Sequence, residues 1–197
     1  MKKQSATIQR TTNETDISIE LVIDGSGKGK FDVPVGFFTH MLDLFAKHGL
    51  FDLTIKAKGD TFIDEHHTVE DIGIVLGEAF AKALGDKKGI NRYGFFILPM
   101  DEALATAAID FAGRYAFTLD CKFSREKVGD LSTELVYDFW DAFAQNAKVN
   151  LFIKVENGRN DHHKIEAIFK AVARACRMAV AEDPKMKGEI PSTKGRL

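Results

Sequence analysis

The sequence predicts an α+β fold of two tandem repeated half-domains. Each is a mixed sheet with helices on one face, and the helices of both halves pack between the sheets. Three observations carry this. First, the chain contains itself twice. HMLDLFAKH at 40–48 answers DFWDAFAQN at 138–146, and Leu53-Thr-Ile55-Lys56 answers Leu151-Phe-Ile153-Lys154, both at an offset of 98. DEHHTVED at 64–71 answers NDHHKIEA at 160–167 at an offset of 96, so a loop in the second copy is two residues shorter. Second, strand-like alternation and helix-like periodicity follow the same mixed order in each copy. Third, a sheet with helices on one face must bury them, and a second such sheet supplies the cover. The 197 residues are expected to form a single domain, with half-repeats at about 1–90 and 91–185 and a tail at 186–197.

In the first half, Ile17, Ile19, Leu21 and Ile23 alternate across 16–23, the pattern of a half-buried strand. DGSGKGK at 24–30 is a Gly-rich turn, and Phe31–Val33 is the expected hairpin partner. The turn lacks the spacing of a phosphate-binding loop, and no helix follows it directly. Gly36 to Lys47 is expected to be a helix capped by Gly49, and Phe51–Lys58 a strand. Asp64 to Leu84 is a long helix with acids in its first turn and Gly85 after its end. In the second half, strands are expected at about 93–99, 103–112 and 114–123. A helix follows at 132–147, opened by Ser132 or Thr133, then a strand at 149–156 and a helix at 162–182. Pro184 and a polar, basic tail end the core.

Lys plus Arg is 27 and Asp plus Glu is 29, a net charge of −2. That balance argues against a general nucleic-acid binder. Cys121 and Cys176 cannot build a disulfide framework and fit a reducing compartment. The start, MKKQSATIQRTTNETD, has no apolar core of a secretory signal, and no apolar run approaches a membrane span. A cytoplasmic protein with no membrane partner is expected. The 16 Phe residues are read as core packing.

The chemistry is concentrated in the histidines. Four of the six form two pairs, each followed by Glu at the same distance: His66-His67-Thr-Val-Glu70 and His162-His163-Lys-Ile-Glu166. On a helix, residues i and i+4 lie one above the other, while adjacent side chains diverge by about 100°. One metal cannot easily take both histidines of a pair. Two metals, each borrowing from both halves or from two subunits, fit better. His40 corresponds to Asp138 in the repeat, so the candidate donors are His40, His66, His67, Glu70, Asp138, His162, His163 and Glu166. Imidazole and carboxylate ligands without Cys favour Mn, Fe or Zn. A lone His-His pair is usually surface; duplication at matched positions reverses that reading.

The strings HMLDLFAKHG, DEHHTVEDIG, MDEALATAAIDFAGR, NDHHKIEAIFKAVARA and the tail PSTKG resemble the imidazoleglycerol-phosphate dehydratase family over about Thr11 to Gly195. The resemblance implies halves related to the second domain of ribosomal protein S5. It implies dehydration of D-erythro-imidazole-glycerol phosphate to imidazole-acetol phosphate in histidine biosynthesis. It also implies two Mn2+ ions per site and a homo-oligomer, a shell of 24 subunits built from trimers with sites at subunit contacts. Residue by residue, His40, His67, His162 and Glu166 match the ligands of one metal, and His66, Glu70 and His163 match ligands of the other. The remaining position often holds His in the family and is Asp138 here. Glu14 matches a substrate-contacting acid and His48 a substrate-side residue, the two catalytic candidates. Arg92, Arg114, Lys170, Ser192, Thr193 and Lys194 match the groups that hold the phosphate.

The substrate chemistry suits these residue types. Cations on the imidazole nitrogens would favour the imidazolate, and loss of the neighbouring hydroxyl would leave a diazafulvene-like intermediate. A carboxylate must move the protons; Glu14 stands first, with His48 and the Asp101-Glu102 pair behind it. Two rival readings use the same residues. One is a dinuclear metallohydrolase of a phosphorylated small molecule, and the other is a structural shell nucleated by metal.

Overall fold

In a computed structural model of the protein, residues 4–186 and 188–196 are described. The first half runs β1 (Ser5–Thr11), β2 (Thr15–Val22), β3 (Gly29–Asp32), α1 (Gly36–Gly49), β4 (Asp52–Gly59) and α2 (His66–Leu84). The second runs β5 (Tyr93–Met100), β6 (Ala103–Asp110), β7 (Ala116–Asp120), a small hairpin of β8 (Lys127–Val128) and β9 (Leu131–Ser132), α3 (Leu135–Ala147), β10 (Asn150–Asn157) and α4 (Asp161–Val180). The sheet orders are β1-β2-β4-β3 and β5-β6-β10-β7. In both, the first three strands pair antiparallel and the last pairs parallel. The expected repeat is therefore present strand by strand.

Each sheet turns one apolar face inward. Ile17, Ile19 and Leu21 of β2, Leu53 and Ile55 of β4, Ala105 and Ala107 of β6, and Leu151 and Ile153 of β10 are buried. The helices fill the space between the sheets, α1 against α4 and α2 against α3. The α2–α3 crossing is close because Gly73 and Gly77 lack side chains. A Cβ at either would sit 2.6 Å from a backbone oxygen, that of Phe139 or Phe143. Half of the Phe residues pack the core, around Trp140: Phe169 lies 4.8 Å from it, Phe143 5.6 Å and Phe45 5.8 Å between ring centres, whereas Phe62, Phe95 and Phe152 are exposed.

Several elements differ from expectation; among them, the β8–β9 hairpin was not foreseen, and α2 begins at His66 with no acid in its first turn. Phe31–Val33 is not the hairpin partner of β2; β3 runs parallel to β4, with Phe31 opposite Ile55. The edges of β2 are already taken by β1 and β4. The Gly-rich segment instead wraps the start of β4, where the Asp52 carboxylate accepts the Ser26 and Lys28 amides at 2.8 and 3.1 Å. β1 was not expected, since only Ala6 of its seven residues is fully buried. It is pinned by Arg10, whose guanidinium meets Asp71 of α2 at 2.8 Å. Ser132 and Thr133 do not cap α3: their hydroxyls go to Glu65 and to the Arg125 carbonyl. The left-handed residue ending α1 is Leu50, at φ 56°, rather than Gly49.

Candidate metal and substrate site

The start of each His-His helix is fixed by a side-chain oxygen two residues ahead. Asp64 accepts the His66 amide at 2.9 Å, and Asn160 accepts the His162 amide at 3.0 Å. Asn160 is the N-cap of α4, while Asp64 stands one residue ahead of the α2 N-cap; both occupy equivalent repeat positions and satisfy an amide that the first turn leaves free. Both histidine pairs thereby fall in a first helical turn.

Within each pair the two imidazoles part. The first histidine turns toward the helix of the other half. His162 Nε2 and His40 Nε2 both lie 3.0 Å from Glu166 Oε1. The three donor atoms lie within 4.8 Å of one another. Lys170, one turn on, donates to Glu166 Oε2 at 2.5 Å and touches Met100 Sδ at 3.2 Å. Burial opposes charge on Glu166, but bonds from Lys170, His40 and His162 hold its pKa at about 2. At neutral pH it is a carboxylate. By the repeat, α3 meets α2 as α1 meets α4, and Asp138 lies on the side of His66; among the described residues only His40, His162 and Glu166 bring their donor atoms together. His66 Nε2 is 3.7 Å from Glu70 Oε2. Burial, then Glu134 and Asp141, push the Asp138 carboxyl up, while His66 pulls it down.

The second histidines, His67 and His163, join neither group. Each is oriented by carboxylates at Nδ1. Asp60 meets His67 Nδ1 at 3.0 and 3.2 Å, and Glu102 meets His163 Nδ1 at 2.7 Å. Such partners fix the tautomer and leave Nε2 as the free donor. The Asp60 bond raises the His67 pKa. Glu102 also accepts the Arg159 and Asn160 amides at 3.1 and 2.8 Å, and its pKa is held at about 2, the His163 bond leading. Glu102, expected with Asp101 as a reserve acid–base, thus holds the His163 ring. Asp101 Oδ2 lies 3.5 Å from His163 Nε2. Asp60 had no sequence signal beyond lying seven residues before His67.

Glu14 is exposed in the β1–β2 turn, with a carboxylate oxygen 3.9 Å from His67 Nδ1. His48 lies in the last turn of α1; burial, then the Lys170 and Arg174 cations, push its pKa down. Arg92 is paired with Asp110 at 2.7 and 3.0 Å and donates to the Pro191 carbonyl at 2.9 Å, which ties down the tail. Ser192, Thr193 and Lys194 form a turn beyond it, with the Lys194 amide on Ser192 Oγ at 3.2 Å. Arg114 is exposed before β7.

The sheet separates these cations from the metal donors of the same chain. Arg92 and Arg114 flank the start of β5 and the end of β6, whereas Asp101 and Glu102 form the turn at the opposite end. The Arg92 amide bonds the Ala179 carbonyl, seventeen residues along α4 from His162, or about 25 Å of helix.

The family profile described as Imidazoleglycerol-phosphate dehydratase matches residues 33–176. The chain belongs to the imidazoleglycerol-phosphate dehydratase family. A relative of that name from Rhodopirellula baltica is 54% identical over 98% of this chain and 96% of its own. One from Geobacillus sp. (strain WCH70) is 56% identical over 98% of each. The crystal structure of the Staphylococcus aureus dehydratase superposes with a TM-score of 0.80 at 40% identity, over 90% of this chain and 99% of its own. The Pyrococcus furiosus enzyme, solved in complex with (S)-C348, gives 0.83 at 33%, over 96% and 100%. The family brings its reaction: a hydro-lyase step of histidine biosynthesis that dehydrates imidazoleglycerol phosphate. The hydrolase reading is not favoured. No helix among the described residues is long and apolar enough to cross a membrane.

Proposed function

We propose that this chain carries out the dehydration at a site completed by a second copy of itself, with two divalent cations, taken as Mn2+ from the family resemblance. The observation that carries the reading is the divergence within each pair: His40 and His162 converge on Glu166, while His67 and His163 are held by other carboxylates and join no donor group. Two imidazole nitrogens, each 3.0 Å from one carboxylate oxygen and all within 4.8 Å of one another, suit a divalent ion of the Mn, Fe or Zn kind. His40, His162 and Glu166 would hold one ion with His67 of a neighbour. Asp138, His66 and Glu70 would hold the other with the neighbour's equivalent of His163. When bound, the cations supply Lewis-acid charge at the substrate's imidazole ring.

The chain's own groups do the rest. Glu14 travels with His67, so a neighbour's Glu14 arrives wherever its His67 does. Exposed and 3.9 Å from that ring, it is the group to take the proton from the carbon next to the imidazole. His48 is kept neutral by burial and by Lys170 and Arg174, so at pH 7 it can accept or relay a proton on the substrate side. Lys170 neutralises Glu166 and remains close enough to meet a phosphate. Arg92 lies too far along α4 to meet a three-carbon substrate on its own chain's metals, and Arg114 at the same end of the sheet and the tail of Ser192, Thr193 and Lys194 tied to Arg92 through Pro191 are read with it as serving another subunit's. This sharing is what a trimer-built shell of 24 subunits in the cytoplasm would provide.

Mixed assemblies test it. Subunits carrying Arg114→Ala and subunits carrying His162→Ala, each inactive alone, should regain dehydration when co-assembled, because some sites then receive both intact groups. Failure of co-assembled particles to exceed either parent would overturn the shared site.

A further inference from the structure

We infer that the two cation positions are unequal, and that the Asp138 position is the tighter for Mn2+ and fills first. This rests on the two-cation reading above and adds the order of loading. The two halves superimpose in strand order and in helix pairing, so each donor can be compared with its counterpart in the same molecule. His66 answers His162 and Glu70 answers Glu166, identical in type. Two positions break the symmetry. His40 on α1 is answered by Asp138 on α3, and Lys170 on α4 is answered by Ile74 on α2.

Both differences act in one direction. Around Glu166 stand two imidazoles and one carboxylate, and Lys170 at 2.5 Å cancels the charge of that carboxylate. The repeat makes the counterpart set two carboxylates and one imidazole, Asp138, Glu70 and His66. Glu70 is 3.7 Å from His66, and the counterpart of the lysine is an isoleucine, which brings no charge. The first position therefore presents no net charge to an arriving dication, and the second presents two negative charges. Carboxylates are also the preferred donors of a hard ion such as Mn2+. A cation entering beside Glu166 must further share that carboxylate with the Lys170 ammonium, and like charges at such range repel strongly where burial keeps water out. Glu166 is the better buried of the two carboxylates, its side chain 8% exposed against 44% for Glu70.

The test is binding of Mn2+ alone to the metal-stripped, full-length oligomer. Free Mn2+ is followed by its electron paramagnetic resonance signal, so that no turnover is read. The wild type should bind in two steps of one ion per subunit. Asp138→Asn should weaken the tighter step by about tenfold or more and leave the weaker unchanged. The mirror variant His40→Asn should weaken only the looser step. Asp138→His, which restores the symmetry at that position, should bring the two steps closer together. Sedimentation of each variant checks that the oligomer persists; if Asp138→Asn does not assemble, the His40→Asn and Asp138→His arms decide alone. Two ions bound in one indistinguishable class would overturn the inference and leave the two-cation reading standing. Loss of the tighter step in His40→Asn would do the same. A wild type that binds no stoichiometric Mn2+ would overturn both.

Discussion

Glu65 is the hinge between the histidine motif of the first half and the scaffold of the second. It occupies the N-cap position of α2, immediately before His66, with only 7% exposure. Its Oε1 accepts the Ser132 amide at 2.7 Å and the Ser132 hydroxyl at 2.6 Å, and Lys127 Nζ adds a third bond at 3.1 Å. Burial opposes its charge, yet the Ser132 and Lys127 bonds outweigh burial and leave its pKa lowered. Glu65→Ala removes the acceptor and strands both Ser132 donors. A buried donor left unmet costs about 1–3 kcal/mol. Ser132 is only partly buried, so water recovers part of this, and Lys127 is half exposed and contributes little. The expected loss is about 2–3 kcal/mol, or roughly 5–10 °C in Tm for a chain of this length. Glu65→Gln keeps an acceptor for Ser132 and should lose about half as much. Thermal unfolding at fixed protein concentration, needed because assembly shifts apparent stability, reads both. An alanine variant melting within about 1 °C of wild type, or a glutamine variant as damaged as the alanine, would refute the clamp.

Two further outcomes follow from neighbouring carboxylates. Asp161 has a fully buried side chain; burial raises its pKa, but Lys164, Ser124 and Arg125 hold it at about 2 against an ordinary 3.8. A depressed folded pKa stabilises above the unfolded value and loses that contribution as pH falls toward 2, here about 2 kcal/mol. Asp161→Asn should therefore lower stability at pH 7 and flatten the acid limb between about pH 4 and 2; an unchanged acid limb in urea unfolding would contradict it. Asp60→Asn and Glu102→Gln, which release His67 and His163, should each weaken Mn2+ binding about 10–100-fold while leaving unfolding little changed. Equal Mn2+ affinity in variant and wild type would remove them as positioning groups.

What the sequence disclosed and what it hid divide along contact distance. The repeat was legible because both copies keep the same residue types at nearly constant spacing, but the order of strands within each sheet was not. The pairs His66/Glu70 and His162/Glu166 were legible because helical i, i+4 geometry is local. The partners of the second histidines were not: Glu102 is 61 residues from His163, and only the folded β5–β6 turn brings it there. Asp130, which accepts the Gly36 and Phe37 amides at 2.6 and 2.9 Å, caps α1 from 94 and 93 positions away, so no local cap signal preceded that helix. β3 was misassigned for a related reason. A short strand after a Gly-rich turn suggests a hairpin, but the choice of neighbour depends on which sheet edges remain free. β1 lacked a signal because its outer residues are polar and its anchor, Asp71, lies on a distant helix.

The central claim, dehydration at a cation-dependent site, is tested most directly by product analysis. Imidazoleglycerol phosphate is offered to the metal-stripped oligomer and to the same preparation restored with Mn2+, and both imidazole-acetol phosphate and inorganic phosphate are measured. The account predicts ketone formation only in the restored sample, with no phosphate released. Undiminished ketone formation without metal, or release of inorganic phosphate in place of the ketone, would contradict it.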